Sequence, residues 1–150
     1  MTEKIYRTIY RSRPTNAVIF NLVEEVENIV ETSVYRNYSA GVTGILLMAK
    51  NYFFQALEGD VNEVRSTYAR ISLDRRHCDL HVLSQGFVKH RLFGEWAMCA
   101  GHLTPTDGLV VNSLWSHSGF YPEQLGAEKA KQLLVAVAEI QRRALPEVLI

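Results

Sequence analysis

The segment Gly41–Gly59, with the sequence GVTGILLMAKNYFFQALEG, constrains the fold of this chain more than any other segment. It contains two apolar runs of strand length, Val42–Ala49 and Tyr52–Leu57, joined by Lys50-Asn51. An asparagine in so short a connection favours a tight turn. The segment therefore predicts a β-hairpin.

One polar residue, Gln55, interrupts the second apolar run, where a buried strand would normally carry a hydrocarbon side chain. A buried primary amide needs hydrogen-bond partners for up to two donors and an acceptor. Two interpretations follow. Either Gln55 faces water on a half-exposed strand, or its amide faces a polar group inside the protein.

Bulk composition restricts the class of protein. The 150 residues predict one domain, and a hydrophobic content of 47% is enough for a sizeable core. Sixteen basic residues balance sixteen acidic ones, which argues against a nucleic-acid binder and against electrostatic attachment to a membrane. With two cysteines and no apolar signal or membrane-spanning segment, we expect a soluble cytoplasmic protein in a reducing compartment.

Hydrophobic periodicity predicts the remaining elements. They are strand 1 at Lys4–Tyr10, a helix at Ala17–Ala40, a helix capped by Asp60 that ends near Leu73, strand 4 at Asp79–Val88, strand 5 at Glu95–Ala100, a short helix at Val110–Ser116 and an amphipathic helix at Glu128–Ala144. This order predicts an α+β fold, a ferredoxin-like βαββαβ arrangement with an extra fifth strand and C-terminal helices.

The predicted topology suggests where a ligand would bind. We expect strands 1 and 3 to be adjacent, central and parallel, with Tyr10 and Gln55 near the carboxyl ends where open sheets bind ligands. Ser33 and Asn37 continue the inward stripe of the first helix, and they indicate either a fraying helix end or a face turned toward a polar group. All four residues could converge on one crevice between the helices and the sheet.

Five segments, taken together, resemble the BLUF domains, a family of flavin-binding blue-light sensors. They are IYRTIYRS, SVYRNYSAGVTGILL, FFQALEG, LDRRHCD and FGEWAMCA, in the family's order and at compatible spacings. The resemblance covers about residues 4–102. It implies a flavin-binding domain at residues 1–102, followed by a C-terminal helical extension at 103–150. That extension would pack on the sheet or in an oligomer interface.

The resemblance also implies site residues. Tyr10 matches the family's redox tyrosine, Gln55 its switching glutamine, and Asn37 the asparagine that pairs with the imide edge of the flavin. The other positions carried over are Ser33 near the pocket, Asp74 near the ribityl chain, Arg76 at a ring carbonyl, His77 beside the ring, and Trp96 and Met98 of the fifth strand. Arg36 lies at a variable position and is expected to reach the ribityl or phosphate part of the ligand. Cys99 stands where the family commonly has glutamine, a departure that concerns how strand 5 passes on the signal.

The implied function is that of a blue-light photoreceptor of the short stand-alone type. It would bind a flavin non-covalently, with FAD expected and FMN or riboflavin as alternatives. Light would rearrange the hydrogen bonds among Tyr10, Gln55 and the flavin, and the signal would pass to a separate effector protein. We expect a homo-oligomer, with no nucleic-acid or membrane partner and no enzymatic activity.

Two rival functions remain open from the sequence. One is an interaction module of the same fold without active photochemistry. The other is a small ferredoxin-like enzyme, although the sequence has neither a glycine-rich phosphate loop nor an evident carboxylate pair. The five histidines do not form a strong metal-binding pattern, so we expect no metal site.

Overall fold

The computed structural model describes residues 4–16, 24, 28, 36–49, 52–94, 99–102 and 122–144. The elements are β1 (Ile5–Pro14), α1 (residues 36–40), β2 (Thr43–Ala49), β3 (Tyr52–Gly59), α2 (Val61–Ser72), β4 (His77–Val88), β5 (Cys99–His102), a 3-10 turn (Pro122–Gln124) and α3 (Ala127–Ala144). The short helix predicted at 110–116 and most of the first predicted helix lie outside the described residues. In the described ranges, no helix combines the length and the apolar character that a membrane crossing needs.

The five strands form one sheet in the order β4-β1-β3-β2-β5. This confirms the α+β, ferredoxin-like arrangement with a fifth strand at one edge. The predicted direction of the central pair was wrong, because β1 and β3 are antiparallel. β3 lies between β1 and β2 and is antiparallel to both, so β1 and β2 run in the same direction and the hairpin reverses β3. Only β5 pairs in parallel, with β2, among the described strands.

Two strand boundaries differ from the predictions. β1 continues four residues beyond Tyr10, to Pro14, because β4 pairs with it through two register shifts that accommodate its irregular end. The described part of the fifth strand is Cys99–His102, whereas the prediction was Glu95–Ala100. Residues 95–98, including Trp96 and Met98, lie outside the described residues.

The alternation of side chains gives the sheet two apolar faces. Tyr6, Tyr10 and Leu57 lie on one face, together with Val64 of α2. Ile9 and Phe54 lie on the other face, in one cluster with the inward residues of α3, which are Ala130, Leu133, Leu134, Val137 and Ala138. The C-terminal helix therefore packs on its own sheet. Its assignment to a separate extension, and any role in an oligomer, stay predictions.

The β2–β3 hairpin brings two backbones unusually close at Gly44. A Cβ atom on this buried residue would overlap the carbonyl oxygen of Ala56 on the neighbouring strand. Backbone atoms cannot yield as a flexible side chain does, so only glycine fits at this position.

We expect Gly44→Ala to lower the free energy of unfolding by at least about 2 kcal/mol, because the added methyl group forces the hairpin strands apart. Gly86→Ala in β4 is the matched control: a Cβ atom there meets nothing within 4 Å. Its effect should stay within about 0.5 kcal/mol. Urea denaturation measures both, and equal effects would contradict the close approach.

Candidate functional site

A cleft lies between the sheet and the two helices α1 and α2. Its atom-free space is about 680 Å³, counted to the open mouth. Thirteen residues line it: Tyr10, Ser12, Arg36, Asn37, Leu46, Phe53, Gln55, Thr67, Arg70, Ile71, Asp74, Arg76 and His77.

Seven of the ten predicted site residues line this one cleft: Tyr10, Arg36, Asn37, Gln55, Asp74, Arg76 and His77. Ser33, Trp96 and Met98 lie outside the described residues. The predicted convergence of Tyr10, Gln55 and Asn37 therefore holds, although one premise for it, a parallel central pair, does not. Antiparallel register brings Tyr10 and Gln55 together instead, in the interior of both strands.

Tyr10 and Gln55 face each other directly across the central strand pair. Their side chains are 2% and 3% exposed, so the water-facing interpretation of Gln55 is wrong. The Tyr10 hydroxyl donates a hydrogen bond to Oε1 of Gln55. Because the hydroxyl hydrogen binds the carbonyl end of the amide, the orientation of the amide is coupled to the state of the phenol.

The surroundings of Tyr10 keep its phenol protonated. Burial raises its pKa well above the ordinary value, and the nearby Tyr68 and Asp74 raise it further. The Tyr68 ring packs edge-to-face at 5.2 Å between ring centroids, and the His77 ring lies 6.4 Å away. Tyr10 is therefore a neutral hydrogen-bond donor inside a packed aromatic group.

His77 ties three elements together at the floor of the cleft. Its Nε2 lies 2.6 Å from the carbonyl oxygen of Ile71, and its Nδ1 lies 2.8 Å from Oγ of Ser12. A carbonyl oxygen only accepts, so Nε2 carries a hydrogen, and in the neutral ring Nδ1 accepts from the Ser12 hydroxyl. The ring thus fixes the end of α2 and the start of β4 against β1.

Asp74 and Arg76 form a local pair in the turn after α2. The Nη2 atom of Arg76 lies 2.5 Å from Oδ2 of Asp74, and its Nε lies 3.0 Å from Oδ1. The backbone N–H of Arg76 also donates to Oδ1, at 2.9 Å. The hydrogen bonds from Arg76 lower the pKa of the Asp74 carboxyl, despite an opposing effect of burial.

Asn37 lies on a helix end that is well defined. Its backbone carbonyl accepts from Val42 N at 2.9 Å, and Gly41 ends the helix with a φ of +68°, a conformation that glycine adopts readily. The Asn37 side chain is 1% exposed. The fraying-end interpretation of Asn37 is therefore wrong. Arg36, which precedes it, is exposed at the mouth of the cleft.

Sequence reasoning missed six lining residues: Ser12, Leu46, Phe53, Thr67, Arg70 and Ile71. Two of them carry a usable signal. Ser12 follows Tyr10 by two residues and so shares its face, and Thr67 is a polar residue on the inward stripe of α2 between Val64 and Ile71. Arg70 carries no signal that separates it from Arg65, the other basic residue of the helix.

The family model described as BLUF, "Sensors of blue-light using FAD", matches residues 5–99. The chain belongs to the BLUF family. The BLUF domain is a flavin-binding sensor of blue light, and it is not a catalytic domain. This match favours neither of the two rival functions. Those were an interaction module without active photochemistry and a small ferredoxin-like enzyme.

Known BLUF proteins differ widely in length. The photoactivated adenylate cyclase subunit alpha of Euglena gracilis is 33% identical over 100 residues, which cover 67% of this chain and 10% of that protein. The chain spans 8–10% of the length of its first curated relatives. The structure of BlsA in its photo-activated state shares the fold, with a TM-score of 0.78 and 24% identity over 89% of this chain and 94% of BlsA. Klebsiella pneumoniae BlrP1 with FMN and cyclic diGMP gives a TM-score of 0.65 at 27% identity, covering 97% of this chain and 38% of that one.

The cleft residues fit the flat, polar-edged ring of a flavin. Leu46, Phe53 and Ile71 supply apolar walls for the ring. The buried carboxamides of Asn37 and Gln55 supply donor and acceptor groups that can complement an edge carrying both C=O and N–H.

We expect Asp74→Asn to lower the free energy of unfolding by about 1–2 kcal/mol at neutral pH, since charge-assisted hydrogen bonds are lost. The folded-state pKa of Asp74 is lowered, so its contribution is present above about pH 4, the ordinary Asp value, and is lost as the pH falls through the lowered pKa. Urea denaturation of the wild type and Asp74→Asn across pH 2–7 measures the difference, which should shrink on the acid side.

The matched control for this pH series is Asp79→Asn, because the exposed Asp79 carboxylate lies 3.9 Å from Arg13. Its effect should stay below about 0.5 kcal/mol. A constant difference between the wild type and Asp74→Asn at every pH would contradict an electrostatic role of Asp74.

Proposed function

We propose that light rearranges the hydrogen bond between Tyr10 and Gln55 beside a bound flavin, and that this rearrangement is the signal passed to a separate partner protein. The observation that carries the proposal is the buried hydrogen bond from the Tyr10 hydroxyl to Oε1 of Gln55, on the wall of the cleft. Both groups are shielded from water, so a change in one must be compensated by the other.

A bound flavin supplies light absorption and, once excited, an electron-accepting group. Tyr10 donates the electron as a neutral phenol, because burial raises its pKa. The oxidised phenol is a strong acid, and its proton moves along the existing hydrogen bond to Gln55. Tyr10 thus loses one electron and one proton, and both return to it, so the cycle leaves no net oxidation.

Gln55 retains the change after the electron has returned. Its amide has a donor end and an acceptor end, and rotation or tautomerisation exchanges the group that faces Tyr10. The exchange alters hydrogen bonding to the flavin and shifts absorption to the red. Differences of about 1 kcal/mol per hydrogen bond are enough to bias a packed element between two arrangements.

The remaining predicted residues hold the ligand in this proposal. Asn37 pairs with the imide edge, Arg76 supports a ring carbonyl, His77 flanks the ring and Asp74 lies near the ribityl chain. Ser33, Trp96 and Met98 keep the roles that the family resemblance implies.

We further propose that the flavin is FAD and that its phosphates lie between two arginines. Arg36 of α1 and Arg70 of α2 line the cleft, and both side chains are exposed. A guanidinium group binds phosphate through paired N–H donors. The family description names FAD, and the related BlrP1 structure contains FMN, so both ligands known from these relatives carry phosphate.

The setting of the protein also belongs to this proposal. We propose a cytoplasmic homo-oligomer that acts on a separate effector protein and not on nucleic acid or a membrane. The balance of basic and acidic residues supports a partner that is neither nucleic acid nor a membrane surface.

Tyr10→Phe should bind flavin but lose the light-induced red shift, because the ring still packs while the donor hydroxyl is gone. Tyr6→Phe is the matched control: Tyr6 is a buried tyrosine of the same strand and face that does not line the cleft. Absorption spectra before and after blue light measure both variants. A normal shift in Tyr10→Phe would remove Tyr10 from the mechanism.

Arg36→Gln and Arg70→Gln should each weaken FMN binding about fivefold, as expected for an exposed charged contact worth about 1 kcal/mol. Riboflavin, which lacks phosphate, should bind these variants and the wild type equally. Arg65→Gln, on α2 but outside the cleft lining, is the control. Titration of the apoprotein by flavin fluorescence gives the affinities, and an equal loss for riboflavin would refute the phosphate contact.

A further inference from the structure

The connection between β4 and β5 has to cross the sheet. These strands lie at opposite edges, and the described part of the connection after Val88 contacts β1, β3 and the start of β2. A side chain of β1, Arg7, holds the start of the connection: its Nη2 atom donates to the carbonyl oxygen of His90 at 3.1 Å. Residues 91–93 of the connection are held by β3 and by the start of β2.

Glu58 of β3 is the centre of this attachment. Its side chain is fully buried, and its carboxylate accepts from Arg7 Nε at 2.7 Å. It also accepts from two successive backbone N–H groups, those of Leu92 at 2.9 Å and Phe93 at 2.7 Å. A buried carboxylate is tolerated when its oxygens are satisfied in this way.

Arg91 makes the reverse contacts, from the connection back to the sheet. Its Nη1 atom donates to Oγ1 of Thr43 at 2.8 Å and to the carbonyl oxygen of Glu58 at 3.2 Å. Its Nη2 atom donates to the carbonyl oxygen of Gly41 at 3.0 Å, directly after the helix that carries Asn37. We call Glu58, Arg7 and Arg91 the crossover clamp.

The crossover clamp links the two faces of the sheet. Glu58 lies three positions after Gln55 on β3, so its side chain projects from the face opposite the cleft. Phe93, whose N–H it binds, is fully buried in the same cluster as Leu133 and Leu134 of α3. β3 therefore carries Gln55 on the cleft face. On the opposite face it carries Glu58, which binds the backbone of Phe93 in the cluster that contains α3.

We propose that Glu58 is a positioning residue of the photoresponse, which sets the lifetime of the light state without touching the flavin. The crossover clamp holds the end of β3 and the connection in one arrangement. The crossover clamp therefore opposes any shift of β3 that a rearrangement at Gln55 produces. Weakening the clamp lowers the free energy of the light state relative to the dark state and so slows dark recovery. This inference rests on the proposed function.

The test compares Glu58→Gln and Arg91→Lys with the wild type, as flavin-loaded full chains. Glu58→Gln removes the charge that satisfies Arg7, and Arg91→Lys removes the two-armed contact while leaving the carboxylate in place. Arg13→Lys is the control, because the exposed Arg13 side chain contacts Asp79 at 3.9 Å and the Tyr52 ring at 5.6 Å and belongs to no contact of the crossover clamp described above. Flavin stoichiometry, amplitude of the red shift, rate of dark recovery and urea stability are measured for each.

Both clamp variants should keep the flavin stoichiometry and shift amplitude of the wild type, and recover at least threefold more slowly. Arg13→Lys should recover at the wild-type rate. Recovery of Glu58→Gln or of Arg91→Lys at an unchanged or faster rate would overturn the proposal, even if stability falls, because the crossover clamp would then be structural only. A wild type without any shift would refute the proposed function itself, and the inference with it.

Discussion

The antiparallel pairing of β1 with β3 is the constraint on which the site depends. It sets Tyr10 directly opposite Gln55 in the interior of both strands, where each side chain is almost fully buried. Neither polar group can turn to water, so each is the other's hydrogen-bond partner. A shift of β3 by one residue would move the Gln55 side chain to the face that α3 covers while Tyr10 stayed in the cleft, and the hydrogen-bonded pair would be lost.

The sequence predicted the fold where local patterns decide it. The hairpin, the Asp60 cap and the amphipathic C-terminal helix all form as predicted, and Asp60 accepts from the N–H groups of Asn62 and Glu63. Strand direction was the failure, because it follows from the order of crossovers and hairpins and not from any residue pattern. The gathering of Tyr10, Asn37 and Gln55 was predicted correctly on a partly wrong premise, and the family resemblance provided independent support.

What could not be predicted is contact between segments far apart in the chain. Glu58 sits at the end of an apolar strand, where an acidic residue usually marks the return to solvent. Nothing near it indicates that its carboxylate binds backbone N–H groups of residues 92 and 93. The role of Arg70 could not be predicted either, because an exposed helical arginine carries no mark of its function in the sequence. Only the position of α2 beside the cleft identifies it. Such residues are defined by tertiary geometry alone.

The division of the sheet into a cleft face and an α3 face separates two selective pressures. Positions on β3 that point one way are constrained by ligand chemistry, and the alternate positions are constrained by the shape of a helix. The α3 side of the protein can therefore diverge in sequence, provided that volume and apolarity are kept, while the cleft stays the same. Successive side chains of a strand point to opposite faces, so the cleft and the α3 core can be neighbours across one sheet without sharing a side chain.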